Sequence, residues 1–305
     1  MKNNYILDYI KAGKAVIAAK KLAKRLINPG ELFIEIANRC EAEIIKNGCE
    51  LSFPINMSLN EIAAHYSPPI DDDTKIPEKG LLKIDIGAHF NGYIADSAFT
   101  INLNEDPKLQ NYVDAAREAL EAAIELFKPG TKLYELGEVI AQKIINRGLR
   151  PITNLGGHEL KQHVLHAGPF IPNYKEKLHN QVLKLGDAYA CEPFATSGVG
   201  KIENGKSFYI FRFLKRVKNY KPYEHRLYID KIEQKFKKLP FSPRWIEKLD
   251  LIPKNQIYRI IRSFLGRGIL EKYPILLERS KEPVAQEEHT IVIDMDGNKI
   301  VTTEE

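Results

Sequence analysis

Apolar residues recur at helical spacing in four segments of the chain, and these segments form two similar pairs. The predicted helices cover residues 4–27, 31–46, 107–128 and 132–147. A Pro-Gly step separates the helices of each pair, at 29–30 and at 129–130, and such a step ends a helix. The likeness of the two pairs indicates an internal duplication.

Runs of apolar and β-branched residues lie between and after the helix pairs and predict short strands. The runs are residues 81–88, 93–103, 188–194 and 289–294. Because proline cannot extend a strand ladder, we expect the third strand to stop at Pro193, with Glu192 at its rim. Helix pairs that alternate with antiparallel strands predict an α+β fold.

The two apolar runs around Asn91-Gly92 carry a pair of aspartates. Asn-Gly between such runs is typical of a type I′ hairpin turn. If these residues form the turn, Gly87 pairs with Asp96, and Asp85 lies on the same face two residues earlier, about 7–8 Å away along the backbone. Two buried carboxylates at that spacing ionise together when a cation lies between them. The hairpin therefore predicts a metal site, and the alternative is one turn-capping and one solvated aspartate.

Composition and charge divide the chain into two regions. Its 305 residues are 44% hydrophobic and 28% charged, and this length predicts roughly two domains. Residues 201–280 carry 20 Lys and Arg against 8 Asp and Glu, a net charge of +12, whereas the rest carries 25 against 32, or −7. A basic block inside an acidic chain predicts a separate module or an insertion.

The sequence also bears on compartment. No apolar run approaches the roughly 18 residues of a membrane span, and the first residues enter an amphipathic pattern rather than a signal peptide. Cys40, Cys49 and Cys191 are too few for a disulfide scaffold, and no CxxC pair is present to hold zinc. We therefore expect a reduced cytoplasmic protein without a membrane partner. A disulfide between Cys40 and Cys49 stays open.

Histidines and two adjacent glutamates complete the candidate ligands. His158, His163 and His166 lie in a glycine-bounded stretch, and each alone is as consistent with a structural histidine as with a ligand. Glu287 and Glu288 begin another predicted strand, in which adjacent side chains face opposite ways. Only one of these two carboxylates can then point into a site.

Taken in order with their neighbouring residues, these candidates resemble the dinuclear metallopeptidases of the pita-bread fold, and among them the type 2 methionine aminopeptidases. The five ligand positions are Asp85, Asp96, His158, Glu192 and Glu288. The other similar segments are residues 64–68, 165–168 and 285–290. The resemblance covers essentially the whole chain and implies a pita-bread fold with two pseudo-twofold halves.

The resemblance implies a site for two divalent ions, which would be Co, Mn, Fe or Zn. Asp96 and Glu288 would bridge both ions. Asp85 would complete one site, and His158 and Glu192 would complete the other. Four carboxylates and one imidazole form an oxygen-rich ligand set that suits Mn, Fe or Co.

The implied reaction releases the initiator methionine from nascent polypeptides when the second residue is small, through attack of a metal-bridging hydroxide on the first peptide bond. His65 and His166 would contact the scissile amide and stabilise the oxyanion, and Glu192 would also shuttle a proton. One position departs from the family, which usually has a bulky apolar residue where Glu287 stands. Because this side chain should face away from the ions, we expect altered packing and intact ligation.

The long connection between the last two ligands is the feature that resembles type 2 enzymes, which carry an inserted helical subdomain similar to a winged helix. We expect a discontinuous catalytic domain, residues 1–203 and 277–305, and an insert within residues 204–276, with its core from about Tyr220 to Tyr273. A monomer is expected, and ribosome association is compatible with the basic insert.

Other interpretations remain open at this point. An X-Pro aminopeptidase or prolidase shares the ligands, and a pita-bread protein without catalysis would act by binding RNA or the ribosome through the basic segment. Residues 200–207 match the phosphate-loop pattern GxxxxGK[ST], but the residues after Ser207 are aromatic and β-branched rather than helical. We therefore expect no nucleotide partner and interpret this motif as a glycine-rich turn between two strands.

Overall fold

The computed structural model describes residues 4–217 and 223–305, so Tyr220, the predicted start of the insert core, lies outside the described residues. The helices are α1 (Asn4–Leu26), α2 (Phe33–Lys46), α3 (Pro107–Glu125), α4 (Leu133–Asn146), α5 (Tyr223–Phe236), α6 (Pro243–Lys248) and α7 (Ile257–Gly266). The strands are β1 (Glu50–Leu51), β2 (Asn56–Leu59), β3 (Ile62–Ala64), β4 (Leu81–Phe90), β5 (Tyr93–Asn102), β6 (Arg150–Pro151), β7 (Gly156–Glu159), β8 (Phe170–Pro172), β9 (Ala188–Cys191), β10 (Phe194–Thr196), β11 (Ile202–Phe213), β12 (Pro240–Phe241), β13 (Leu270–Glu278), β14 (Val284–Gln286), β15 (His289–Ile293) and β16 (Lys299–Val301).

The two predicted helix pairs form two halves of similar local structure. Helices α2 and α4, strands β1 and β6, and strands β2 and β7 each begin 100 residues apart. Gly30 and Gly130 both have φ +90 and donate their N–H to the next segment, to Ile76 O at 2.8 Å and Leu183 O at 2.9 Å. The fold is therefore the expected α+β pita-bread arrangement with pseudo-twofold halves.

Each half buries its helices against its own sheet. In the first half, α1 and α2 cover a four-stranded sheet in which β4 pairs with β1, β2 and β5. In the second half, α3 and α4 pack against a core that includes residues of β9 and β15 from a five-stranded sheet of order β16-β15-β9-β7-β8. Alanines 12, 15, 19 and 23 are fully buried on α1, so this helix can lie close to its sheet.

The basic segment has a core of its own. Helices α5, α6 and α7 pack on the paired strands β11 and β13, around Phe211, Phe241 and Phe264. A buried ion pair, with Arg244 Nη2 at 2.8 Å from Glu41 Oε1, joins α6 to α2.

The glycine-rich turn predicted at residues 200–207 is wrong. Residues 202–213 form one strand, β11, whose pairing with β13 shifts register between Asn204 and Phe208. Strand β11 pairs with β13 both before and after this shift, so the additional residues of β11 are accommodated as an irregularity within one continuous strand. The required helix after the phosphate-loop pattern is absent here, so this described segment gives no support to nucleotide binding.

Within the described ranges, no helix is long and apolar enough to cross a membrane. Cys40, Cys49 and Cys191 are all buried and free, which answers the open question about a Cys40–Cys49 disulfide.

Candidate metal centre

The β4–β5 hairpin has the predicted turn and register. Asn91 and Gly92 both have positive φ, +52 and +87, as a type I′ turn requires. Gly87 pairs with Asp96, so Asp85 and Asp96 lie on the same face as diagonal neighbours. The predicted turn and register are confirmed.

The remaining three candidate ligands come from adjacent strands of the other sheet. His158 lies on β7, Glu192 follows β9, and Glu288 precedes β15. Strand β9 stops before Pro193, as predicted. Strand β15 begins at His289, as the run 289–294 predicted, and not at the glutamates. Glu287 and Glu288 instead form a short connection between β14 and β15.

Backbone and hydroxyl contacts fasten the two sheets together at the candidate ligands. The Asp96 N–H donates to Thr290 Oγ1 at 2.7 Å, and this hydroxyl donates to Asp96 O at 2.8 Å. The Glu288 N–H donates to Ala98 O at 3.0 Å. The positions of Asp96 and Glu288 are therefore set by main-chain geometry, which limits how far their carboxylates can separate.

All seven candidate residues line one cavity of about 210 Å³; they are His65, Asp85, Asp96, His158, His166, Glu192 and Glu288. His158 Nε2 lies 3.6 Å from Asp96 Oδ2 and 3.7 Å from Glu192 Oε1. Ligand atoms of Asp96, His158 and Glu288 all lie within 4.8 Å of one another. Five residues spread over two hundred positions thus converge on one space.

The cavity suppresses the charge of its own carboxyl groups. Burial raises the pKa of Asp85 to about 7, and its interaction with Asp96 opposes this rise. Burial and the neighbouring carboxylates raise the pKa values of Asp96 and Glu288 well above the ordinary range, and burial and Asp85 do the same for Glu192. A cation among these groups would oppose all four shifts, because a nearby positive charge favours the ionised form that burial disfavours.

The residues present fit divalent metal ions. Asp85 Oδ1 and Asp96 Oδ1 are buried and have no hydrogen-bond partner among the described residues, so each has a lone pair available for a ligand. Oxygen-rich donors with one imidazole suit hard divalent ions. Burial lowers the pKa of His158 to about 4, so its imidazole is neutral and able to coordinate.

Two further histidines face the cavity from different elements. His65 follows β3 with φ +70, a conformation uncommon for a residue with a side chain, and its Nδ1 lies 3.1 Å from Pro274 O. Burial lowers its pKa to about 4. The His166 ring lies 4.4 Å from that of His158, and removal from water, followed by the nearby His158, His65 and Arg212, lowers its pKa well below 6.5.

Gln286 and Tyr273 also line the cavity but were not predicted as site residues. Gln286 Nε2 donates to Glu192 Oε2 at 3.1 Å, and the Tyr273 ring lies 5.5 Å from the His65 ring. Tyr273 belongs to β13 of the basic segment, more than a hundred residues from most of the ligands. The available signal was the position of Gln286 two residues before Glu288, in the segment that already carried the resemblance.

Glu287 points away from the cavity, as expected for the residue next to Glu288. Its Oε1 accepts the Thr100 N–H at 3.0 Å, and its backbone N–H donates to Pro193 O at 3.3 Å. Burial raises its pKa to about 7. Glu287 therefore bonds to the backbone of β5 behind the site and does not line the cavity.

Known proteins share both the sequence and the fold. The model of metallopeptidase family M24 matches residues 8–221. The methionine aminopeptidase of Methanothermobacter thermautotrophicus is 39% identical over 298 residues, covering 97% of this chain and 98% of the relative. That of Pyrococcus abyssi is 40% identical over 295 residues, covering 97% of this chain and 98% of the relative.

Solved structures at lower identity show the same fold. A thermophilic Arx1 superposes with a TM-score of 0.85 at 16% identity, covering 99% of this chain and 91% of that one. A methionine aminopeptidase from Thermotoga maritima gives 0.72 at 21% identity, covering 100% and 98%. A prolidase from Pyrococcus furiosus gives 0.61 at 19% identity, covering 100% and 65%. By the family match and the near-complete alignment with its relatives, this chain belongs to metallopeptidase family M24 and, within it, to the type 2 methionine aminopeptidases.

Proposed function

We propose that this protein removes the initiator methionine from nascent polypeptides whose second residue is small, using two divalent metal ions. The observation that carries the proposal is the convergence of four carboxylates and His158 on one buried cavity in a chain about 40% identical to methionine aminopeptidases. Ions in such a set acidify water and polarise a carbonyl.

The ligand roles are part of the proposal. Asp96 and Glu288 would be shared by both ions, which is supported by the contacts that hold their backbones together through Thr290 and Ala98. Asp85 would complete one site. His158 and Glu192, whose Nε2 and Oε1 lie 3.7 Å apart, would complete the other.

The tautomer of His65 suggests how it acts on the scissile amide. A carbonyl oxygen can only accept, so the contact with Pro274 O requires the proton of the neutral ring on Nδ1. Nε2 then carries a lone pair and can accept the amide N–H of the second residue. We propose this role for His65 and assign stabilisation of the oxyanion to His166.

Glu192 is proposed to carry a proton between the attacking water and the departing amine. Gln286 Nε2 holds its Oε2 at 3.1 Å, and the facing Oε1 is the oxygen near His158. One carboxylate oxygen is thus fixed in orientation while the other faces the cavity, the arrangement that a positioned acid–base group needs.

The rest of the cavity wall suits an apolar side chain. Phe53, Leu165, Phe170, Phe194 and Ile210 line it together with the candidate ligands. A methionine side chain is flexible and apolar, and a wall of this kind would bind it by burial rather than by hydrogen bonds.

Release of methionine from Met-Ala-Ser and Met-Leu-Ser tests the proposal, with an X-Pro peptide as control. We expect Met-Ala-Ser to be cleaved, Met-Leu-Ser to be cleaved poorly, and both activities to stop with a chelator and return with Mn or Co. Preferential cleavage of the X-Pro peptide would favour the prolidase-like alternative, and undiminished activity in the chelator would contradict the mechanism.

The domain arrangement and the cellular setting are also proposals. Residues 204–276 would form the inserted subdomain, supported by the separate core around Phe211 and Phe264. Cytoplasmic action on nascent chains by a monomer, with the basic insert contacting the ribosome, would follow from the same reaction. Sedimentation with ribosomes at low and high salt tests that contact, because attraction between a basic surface and RNA weakens with salt.

A further inference from the structure

The loop that carries His166 contacts the turn of the hairpin that carries Asp85 and Asp96. It leaves β7 after Glu159 and makes a tight turn, closed by hydrogen bonds between the backbones of Lys161 and Val164 at 3.0 and 2.8 Å. Leu165 and His166 follow at once and line the cavity. His166 is therefore held on one side by this turn and on the other by the Ala167 N–H, which donates to Glu159 O at 2.9 Å.

Two hydrogen bonds join this turn to the hairpin turn. The His163 N–H donates to Gly92 O at 2.8 Å, and Gln162 Nε2 donates to Asn91 O at 2.8 Å. The hairpin runs directly from Gly92 into β5 and to Asp96, four residues away. The acceptors of this contact thus belong to the same rigid element as two of the candidate ligands.

His163 adopts an unfavourable backbone conformation to make this contact. Its φ is +58, in the left-handed region where a residue with a side chain costs about 1–3 kcal/mol. The imidazole lies against the Gly92 Cα: a Cβ there would meet His163 Nε2 at 2.5 Å. The turn thus needs glycine at position 92 both for its φ and for the space that the ring of His163 occupies.

Further groups hold the His163 ring on its other sides. The His89 ring lies 5.4 Å away at an interplanar angle of 78°, and its Nδ1 accepts the Gly92 N–H at 3.2 Å. Lys237, which follows α5, has its Nζ 2.9 Å from His163 Nε2. The ring therefore packs between the hairpin and the basic segment.

We propose that the contact between Gly92 and His163 positions His166 relative to Asp85 and Asp96, so that His163 is a positioning residue of the aminopeptidase. This inference rests on the proposed function. The hairpin fixes where the ions would lie, and the His163 turn fixes where the oxyanion donor lies. Misplacement of a catalytic group by about 1 Å can cost as much as a hundredfold in rate.

A matched pair of glycine substitutions tests the contact. Gly92→Ala adds a Cβ that collides with the His163 ring, whereas Gly130→Ala has the same backbone cost, φ +90 against +87, with nothing within 4 Å of its Cβ. We expect Gly92→Ala to lower kcat on Met-Ala-Ser by about tenfold or more and Gly130→Ala to stay within about twofold of wild type. Equal losses in the two variants would overturn the proposal.

Coupling to His166 separates positioning from general damage. In a His166→Ala background we expect Gly92→Ala to change kcat by less than about twofold, because the group that it misplaces is already gone. An undiminished loss there would show that the contact acts elsewhere. If Gly92→Ala does not fold, His163→Asn takes its place, since Asn tolerates positive φ and removes the ring.

A measurement without turnover distinguishes failure of this proposal from failure of the proposed function. We expect the imidazole NMR signals of His166 to shift in Gly92→Ala and in His163→Asn but not in Gly130→Ala. Amide exchange of residues 160–168 should quicken in the same two variants. Unchanged NMR signals and unchanged amide exchange would contradict the positioning proposal. If the shifts are present but the wild type releases no methionine, only the proposed function is contradicted.

Discussion

At the scale of single residues, the candidate metal centre is held together by main-chain contacts but is electrostatically incomplete. Asp85, Asp96, Glu192 and Glu288 line one cavity, and burial opposes the ionisation of each. A nearby cation would stabilise the ionised form of these buried carboxylates, as water does for carboxylates at the surface. Metal binding should therefore be visible in the stability of the protein as well as in its activity.

Addition of Mn²⁺ to protein freed of metal should raise its stability by about 2.7 kcal/mol for each ion that binds at a concentration one hundred times its dissociation constant. Asp96→Asn should abolish this gain and reduce the bound metal, because it would remove the carboxylate that is proposed to be shared by both ions. The exposed Asp250→Asn, remote from the cavity, is the control and should keep the gain. Thermal unfolding with and without metal, together with metal analysis, measures both effects. The same stabilisation in Asp96→Asn would contradict the ligand assignment.

A second residue-scale prediction concerns His89, which lies outside the metal cavity. Burial lowers its pKa to about 4, below its ordinary 6.5, so the unfolded chain binds more protons between these values. Stability must then fall as the pH falls through this window, by about 2.5 kcal/mol from pH 7 to 4.5 for this one group. Protonation would also cost the acceptor that Nδ1 offers to Gly92 N–H.

Urea unfolding of wild type and His89→Gln at pH 7 and 4.5, both saturated with metal, measures this contribution. The variant should be less stable at pH 7 but should lose about 2.5 kcal/mol less than wild type on acidification, since glutamine does not titrate. Parallel losses in the two proteins would show that His89 keeps an ordinary pKa.

At the scale of elements, the close approach of neighbouring backbones, rather than helix propensity, decides where a glycine is needed for stability. Gly137 lies in the middle of α4, where a Cβ would meet Tyr174 O at 2.4 Å and Pro172 O at 2.5 Å. Both are backbone oxygens, one in β8 and the other two residues after it, so neither can move by a rotamer change. The helix needs glycine there in order to pack on this strand.

Gly137→Ala should therefore destabilise the protein by about 2 kcal/mol or more, despite the better helix propensity of alanine. Gly266→Ala, at the end of α7 with nothing within 4 Å of its Cβ, should instead stabilise by up to about 1 kcal/mol. Denaturant midpoints of the two variants at a common slope give the comparison. A stabilised Gly137→Ala would mean that α4 can shift away from β8.

The elements that the sequence predicted well are those fixed by local chemistry. Helices ended at Pro-Gly steps, and the Asn91-Gly92 turn set the register that brings Asp85 and Asp96 together. Prediction failed where the partner is distant in sequence. The irregularity in β11 depends on pairing with β13, and the roles of Gln286 and His163 depend on what folds against them. The pattern of apolar and polar residues within those segments does not show which distant residues they contact.

At the scale of the whole molecule, the basic segment is joined to the first half by a buried ion pair. Arg244 and Glu41 are almost completely buried, and Arg244 also donates to Pro68 O at 2.8 Å. Removal of one partner from such a pair leaves an uncompensated charge and costs about 3–5 kcal/mol. The loss should weaken the contact between α6 and α2 more than it weakens the core of the basic segment or of the first half.

Trp245 offers a local probe of this joint, because it is the single tryptophan of the chain and packs beside Phe236 in the core of the basic segment. In wild type we expect its fluorescence and the far-ultraviolet circular dichroism to change together during urea unfolding, as one cooperative unit. In Arg244→Met the fluorescence transition should move to lower urea ahead of the dichroism, because the segment loses its anchor while both halves keep their cores. Coincident transitions in the variant would mean that the paired strands β11 and β13, and not the ion pair, hold the segment in place. The double variant Arg244→Met/Glu41→Leu separates these causes. Removal of both charges should restore part of the coincidence if the buried Glu41, left with the exposed Lys248 at 3.6 Å in place of Arg244, is what weakens the joint.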